Sequence, residues 1–282
     1  MTARAAAPAA GTVLNALANG YGSAFAIDAH TEAIVDLDDT GTVTGEIEGA
    51  ENADTSLIER CVERCIERFG DDEGGHVRTE SEVPMASGLK SSSAAANATV
   101  LATLAALEVD LDREAACRIG VEAARDAGVT VTGAFDDASA SMLGGVTVTD
   151  NTRDELLARD EPDWDVLVYT PDERAFSAEA DVSRCERIAP MADIVYDLAA
   201  DGAYESAMAV NGFAFCAALD YPTEPLVEAL PAATASLSGT GPSYTAVGDR
   251  EALEALEAVW GERPGHTWRT TTQRTGATVR LD

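Results

Sequence analysis

PMASGLKSSSA, residues 84–94, decides how the rest of the chain is read. It stands between a strand-like stretch, residues 76–83, and an alanine-rich stretch, residues 91–107, that reads as a helix. Gly88 admits backbone conformations closed to other residues. The serines after it fall at a helix N-terminus, where N–H groups without intrahelical partners and the helix dipole attract anions. Serine hydroxyls also donate to phosphate oxygens and ligate Mg²⁺. Taken alone, the segment fits a plain N-cap of a serine-rich helix equally well. It is not the Walker A loop, which needs G-x-x-x-x-G-K-[ST].

Composition sharpens the reading of one residue in this loop. Of the 19 basic residues, 18 are arginine, and Lys90 is the single lysine of the chain. A compact ammonium retained only here points to a local need, such as facing a nucleotide or a transferred phosphate. The 50 acidic residues give a net charge of −31, which excludes nucleic acid and anionic membranes as partners, since both require basic surface. The acids are dispersed along the chain, as in a solvated surface adapted to high salt, where screening weakens repulsion. An ordinary acidic protein is the blander alternative. With 282 residues, 46% apolar and only 5% aromatic, the chain is globular, with a core of Ala, Val, Leu and Ile in one large domain or two lobes.

Five cysteines (Cys61, Cys65, Cys117, Cys185 and Cys216) form no C-x-x-C pair, and the three histidines show no metal-ligand spacing. Buried, reduced thiols are expected. The alanine-rich start is interrupted by Asn15, Asn19 and Gly20 before any secretory apolar segment develops, and no window approaches the roughly 20 apolar residues of a membrane span. A soluble cytoplasmic protein is expected.

Periodicity places strands at residues 23–28, 33–37, 43–47, 76–83, 145–149, 164–169, 244–247 and 267–272, and residues 235–238 lead into a glycine-rich loop. Helices are expected at residues 55–69, 91–107, 113–127, 136–143, 184–200, 203–219 and 251–260. Strands clustered beside groups of helices argue for α+β.

Two further segments carry chemistry. Ser238-Gly239-Thr240-Gly241-Pro242-Ser243 is a second glycine-rich loop, suited to anion contact through backbone N–H groups and the Thr240 and Ser243 hydroxyls, although Gly-x-Gly-Pro is also common in simple turns. Thr130-Val131-Thr132-Gly133-Ala134-Phe135-Asp136-Asp137-Ala138 puts two adjacent carboxylates after a turn. Adjacent carboxylates raise each other's proton affinity, which suits a base, while an acidic helix start is the structural alternative.

Together these three segments resemble the motifs of the GHMP kinases (galactokinase, homoserine kinase, mevalonate kinase). The second motif of that superfamily, P-x-x-x-G-L-x-S-S-x, is matched at every fixed position by Pro84, Gly88, Leu89, Ser91 and Ser92, with Lys90 where most members carry glycine. The 238–243 loop occupies the place of the third motif. The resemblance implies a two-lobed α+β fold with ATP and substrate in the cleft between lobes at residues 1–150 and 151–282. It implies that Pro84, Ser87, Gly88, Leu89, Ser91, Ser92, Ser93, Gly239, Thr240, Gly241 and Ser243 hold the nucleotide phosphates. It also implies Asp136 as the base toward the substrate hydroxyl, Lys90 beside it in catalysis, and Ser92 with Glu122 as the Mg²⁺ ligands.

Within the superfamily, the runs at residues 131–141 and 144–151 look like the archaeal shikimate kinases, as does Asn15-Ala16-Leu17-Ala18-Asn19-Gly20-Tyr21-Gly22-Ser23-Ala24 with Asp28 beyond it. The implied reaction is phosphorylation of shikimate to 3-phosphoshikimate in aromatic amino-acid synthesis, with Asn15, Gly20, Gly22, Asp28 and Asp137 bordering the substrate and an arginine meeting its carboxylate. Whether Asp136 or Asp137 is the base stays open, as does monomer against homodimer. Homoserine kinase is the confusable alternative, and Asp136–Asp137 argues against it. A non-catalytic protein of the same fold is the remaining alternative, opposed by the intact Ser92, Glu122 and Asp136 set.

Overall fold

Leu57, Ile58, Cys61, Val62, Cys65 and Ile66 recur at helical spacing and form the buried face of helix α1 (Ser56–Phe69). The computed structural model describes residues 1–50, 52–83, 87–130, 133–172 and 182–280. Helix α2 (Ser91–Ala106) is buried nearly all round, which its alanines permit by letting neighbouring backbones approach closely. It lies between a large sheet on one side and α1, α3 (Arg113–Asp126) and α4 (Phe135–Leu143) on the other.

That sheet has seven strands. Its spine is β2 (Tyr21–Asp38), which pairs along one edge with β1 (Thr2–Leu14). Along its other edge, β4 (Gly74–Ser81) takes Thr31–Asp38 and β5 (Val146–Asp150) takes Tyr21–Phe25, so one long strand carries two partners end to end. Strand β3 (Val43–Ile47) runs parallel to β4, β6 (Glu155–Asp160) hairpins onto β5, and β11 (Thr278–Arg280) returns to the outer edge of β1. A second sheet has the order β10 (His266–Thr271), β7 (Asp165–Thr170), β9 (Tyr244–Gly248), β8 (Thr234–Leu237). A 3-10 segment (Val182–Ile188) leads into α5 (Ala189–Ala200), and α6 (Tyr204–Leu219), α7 (Glu224–Ala229) and α8 (Arg250–Trp260) complete this half.

One apolar cluster joins the halves. Val13, Phe25 and Val146 of the first sheet pack with Val166, Val168 and Val247 of the second, and with Val195, Tyr204 and Met208 of α5 and α6. The two glycine loops described below are therefore held by a continuous core.

The α+β expectation holds, with corrections in detail. β1 replaces the alanine-rich stretch that looked like the start of a leader: ten successive residues, Ala5–Leu14, are buried because sheet and helices cover both faces, so alternation is lost. The two strands expected at 23–28 and 33–37 are one continuous β2. Residues 155–160, to which no element was assigned from periodicity, form an edge strand, β6. Since β6 and β11 both lie in the first sheet, a lobe boundary at residue 150 does not follow the sheets. The five cysteines are buried and form no disulfide, and burial pushes the thiols of Cys61, Cys65, Cys117 and Cys216 up, which keeps them unreactive. Among the described residues no helix is long and apolar enough to cross a membrane.

Candidate active site

Ser87, Gly88, Leu89 and Lys90 turn the chain from β4 into α2. Gly88 has φ +83°, and a side chain there would drive a Cβ to 2.5 Å from the Ser238 carbonyl oxygen. The crowding arises because the second glycine loop lies directly against the first. Ser238 Oγ donates to the Gly88 carbonyl at 2.8 Å, and Ser243 N–H donates to the Ser87 carbonyl at 3.1 Å. Leu89 is fully buried and anchors the turn, its carbonyl accepting from Ala10 N–H of β1 at 3.2 Å. Pro84 lies outside the described residues, as do Met85 and Ala86.

The second loop is tied to the first sheet as well. Gly239 N–H donates to Thr12 Oγ1 at 2.8 Å, and its carbonyl accepts from Asn15 Nδ2 at 2.7 Å. Asn15 is fixed in turn, its own N–H donating to Asn211 Oδ1 on α6 at 2.9 Å. Thr240 is buried beside Gly241, and the Ser243 hydroxyl pairs with that of Thr170 at 2.8 Å. Ser91 and Ser93 are half-buried and Ser92 is exposed in the first turn of α2. No side chain caps that helix start, so its leading N–H groups are available to an anion.

Lys90 sits at the N-cap of α2 in the left-handed region, φ +64°, which turns its side chain away from the helix. Its Nζ lies 2.6 Å from Asp137 Oδ1 and about 3 Å from the space a Cβ on Gly239 would take. Both partners are largely buried, with side-chain exposures of 7% and 14%. The phosphate-loop lysine thus joins the second glycine loop to the aspartate turn. Burial and the adjacent Asp136 charge push the Asp137 carboxyl up to about 7, against the pull of Lys90.

Asp136 is the second residue of α4 and is 4% exposed. Its Oδ1 accepts from Asn151 Nδ2 at 2.7 Å, and its N–H donates to Asn151 Oδ1 at 3.2 Å. Opposite its carboxylate runs β2 at Gly22, where a Cβ would stand 2.5 Å from Asp136 Oδ2, so only glycine leaves room for the acid. The Gly20 carbonyl accepts from Asn151 N–H at 2.9 Å, which locks the 20–22 turn to the same centre. On the far side Arg118 stands over the Phe135 ring at 5.4 Å, and the Arg125 guanidinium lies against Gly133 while gripping Asp154 at 2.6 and 2.7 Å. Val131 and Thr132 of the aspartate turn lie outside the described residues.

Two expected residues do not reach this centre. Glu122 accepts from Arg68 and stands 3.6 Å from Arg64, both on α1, so it belongs to the ionic seam between α1 and α3. The reason is rotational. Gly120, two residues earlier, packs against Ala96 of α2, and two residues turn a helix by about 200°, which points Glu122 away from α2 and from Ser92. Asp28 is exposed six residues beyond Gly22, roughly 20 Å along β2, with His30 as its ionic neighbour at 3.8 Å. Conversely, Asn151, Thr149 and Thr12 were not singled out as site residues, although Asn151 closes the run at residues 144–151. A lone polar residue at a strand end reads as turn chemistry, and only the fold brings it 15 positions back to Asp136. Among the described residues no group of three or more His, Cys, Asp or Glu is placed to hold a metal ion.

Comparison with known proteins agrees with this geometry. The family model "GHMP kinases N terminal domain" matches residues 56–145. A shikimate kinase of Halobacterium salinarum is 64% identical over 281 residues, covering 98% of this chain and 99% of its own. One of Methanococcoides burtonii is 51% identical, covering 92% and 91%. Among solved structures, homoserine kinase of Cytophaga hutchinsonii superposes with a TM-score of 0.77 at 18% identity, covering 99% and 97% of the two chains. Mevalonate kinase of Methanococcus jannaschii gives 0.76 at 13%, covering 97% and 98%. At such identities these two structures speak for the fold alone. The sequence relatives, matched end to end, decide the family: the chain belongs to the GHMP kinases and, among them, to the shikimate kinases.

Proposed function

We propose that the protein transfers the γ-phosphoryl group of ATP to a hydroxyl of shikimate, giving 3-phosphoshikimate and ADP, as a soluble enzyme of the cytoplasm. Beyond family membership, the observation that carries this reading is the meeting of both glycine loops, Lys90 and the Asp136–Asp137 pair at one place. Phosphoryl transfer asks a protein chiefly to position the reactants and neutralise charge. The start of α2 supplies N–H groups and hydroxyls for the phosphates, and the 239–243 loop, its Gly239, Gly241 and Ser243 N–H groups held by Thr12, Ser238 and Ser87, is a fixed wall beside them. Lys90 brings a positive charge to a chain of net charge −31 where the polyphosphate would lie.

Asp136 accepts the hydroxyl proton as the oxygen bonds to the γ-phosphorus and the bond to the departing ADP oxygen breaks. It lies across from Gly22, beside the turn that would border the substrate, while Asp137 faces Lys90. Of the two acids, Asp136 is therefore the base in this reading and Asp137 the counter-ion of the lysine. Mg²⁺ fits the donors here. The exposed Ser92 hydroxyl and a carboxylate oxygen of the acid pair are hard ligands of the kind it accepts alongside phosphates and water, and it would neutralise the β- and γ-phosphates.

The test is ADP release by the purified protein in high KCl with shikimate, homoserine or mevalonate as acceptor. Shikimate alone should support rapid turnover. Turnover with homoserine alone would overturn the substrate, and ATP binding without turnover of any acceptor would favour a non-catalytic role.

A further inference from the structure

We infer that Asn151 is a positioning residue that clamps one oxygen of Asp136 and leaves the other aimed at the acceptor. This rests on the reading of Asp136 as the base. Asn151 is 3% exposed, and its amide orientation follows from its partners. Its Oδ1 accepts from Asp136 N–H at 3.2 Å and from Thr149 Oγ1 at 2.7 Å. Its Nδ2 therefore faces the carboxylate and donates to Asp136 Oδ1 at 2.7 Å. A flipped amide would set N–H against N–H and oxygen against oxygen, so one orientation survives.

The clamp divides the carboxylate into two unlike oxygens. Oδ1 is committed to Asn151, while among the described residues no donor engages Oδ2, which lies beside Gly22. The clamp is also built into the substrate-side backbone, because Asn151 N–H holds the Gly20 carbonyl at 2.9 Å and Thr149 Oγ1 reaches the Gly22 carbonyl at 3.2 Å. The side chain that orients the base thus also sets the turn that would border the acceptor. A general base must sit within hydrogen-bond reach of its proton, and misplacement of about 1 Å costs on the order of a hundredfold in rate.

The charged and titratable groups on elements around Asp136 are Asp137 on α4, Lys90 before α2, Arg118 and Arg125 on α3, Tyr21 on β2 and Asp150 on β5. None of them donates to Oδ1.

The experiment uses the near-isosteric Asn151→Asp, together with Thr149→Val and Thr149→Ser, in the full-length protein. With Asn151→Asp, kcat should fall about a hundredfold while KM for ATP stays within about twofold. Thr149→Val should lower kcat by less, again with KM for ATP nearly unchanged, and Thr149→Ser should restore it. Reduced thermal stability with kcat unchanged would overturn the clamp and leave Asn151 a structural residue. If Asp136→Asn is inactive while Asn151→Asp is unshifted, the clamp fails and the base reading survives. If Asp136→Asn is nearly as active as the parent protein, the base reading itself fails.

Discussion

Lys90 Nζ lies 2.6 Å from Asp137 Oδ1, and this buried pair ties the phosphate loop to the aspartate turn. In an acidic chain with one lysine, the lysine stands where the three motifs meet. Lys90→Ala should raise KM for ATP and lower kcat, since both the phosphate charge and the partner of Asp137 are lost. Steady-state kinetics with ATP varied check this, and unchanged constants would make the position of Lys90 incidental.

Asp137 has a thermodynamic signature. Burial and the Asp136 charge raise its folded carboxyl from the ordinary aspartate range to about 7. Between those values the folded state holds a proton that the unfolded chain has released, so this group's contribution to stability falls as pH rises across that window. The difference in stability between the parent protein and Asp137→Asn should therefore shrink or reverse from about pH 4 to about pH 7, then level off. Denaturation at fixed high KCl over this range measures it. A difference independent of pH would contradict the assigned burial and coupling.

Gly22→Ala tests the space around the base. The new Cβ would stand 2.5 Å from Asp136 Oδ2, so the carboxylate or β2 must move. A loss of kcat of about a hundredfold is expected, larger than the change in ATP affinity, because the group the new Cβ displaces is Asp136. Kinetics together with a melting curve separate this from general unfolding.

Glu122→Gln should leave the Mg²⁺ dependence of turnover unchanged and cost at most about 1 kcal/mol of stability, as expected of an exposed ion pair. A large rise in the Mg²⁺ concentration needed for half-maximal rate would restore Glu122 as a ligand.

These residues also show what a linear sequence reveals. The start of α2 was legible because serines, a glycine and an alanine-rich stretch announce a helix N-terminus within a few residues. The Asp136 turn was legible for the same local reason. Strand β1 was not, because Ala5–Leu14 is buried on both faces, shows no alternation and is alanine-rich, with Thr12 and Val13 its only β-branched residues. Glu122 was misplaced because spacing along a chain does not report rotation about a helix, and a seam of arginines on α1 claims its side of α3. Asn151 was missed because its role depends on β5 laying it beside α4, a tertiary relation without a local sign.

Loss of the base is the next consequence. Asp136→Asn keeps the Asn151 contact at Oδ1 but removes proton acceptance, so kcat should fall by about 10²–10⁴ with ATP affinity nearly unchanged. Rapid turnover in that variant would assign the base to Asp137 or remove the need for one.

The most direct test of the whole account is ³¹P NMR of purified protein with ATP, Mg²⁺ and shikimate in high KCl. The account predicts a new phosphomonoester resonance, at the 3-hydroxyl of shikimate, growing in step with ADP. ADP accompanied only by inorganic phosphate, or no turnover of shikimate while homoserine is phosphorylated, would contradict it.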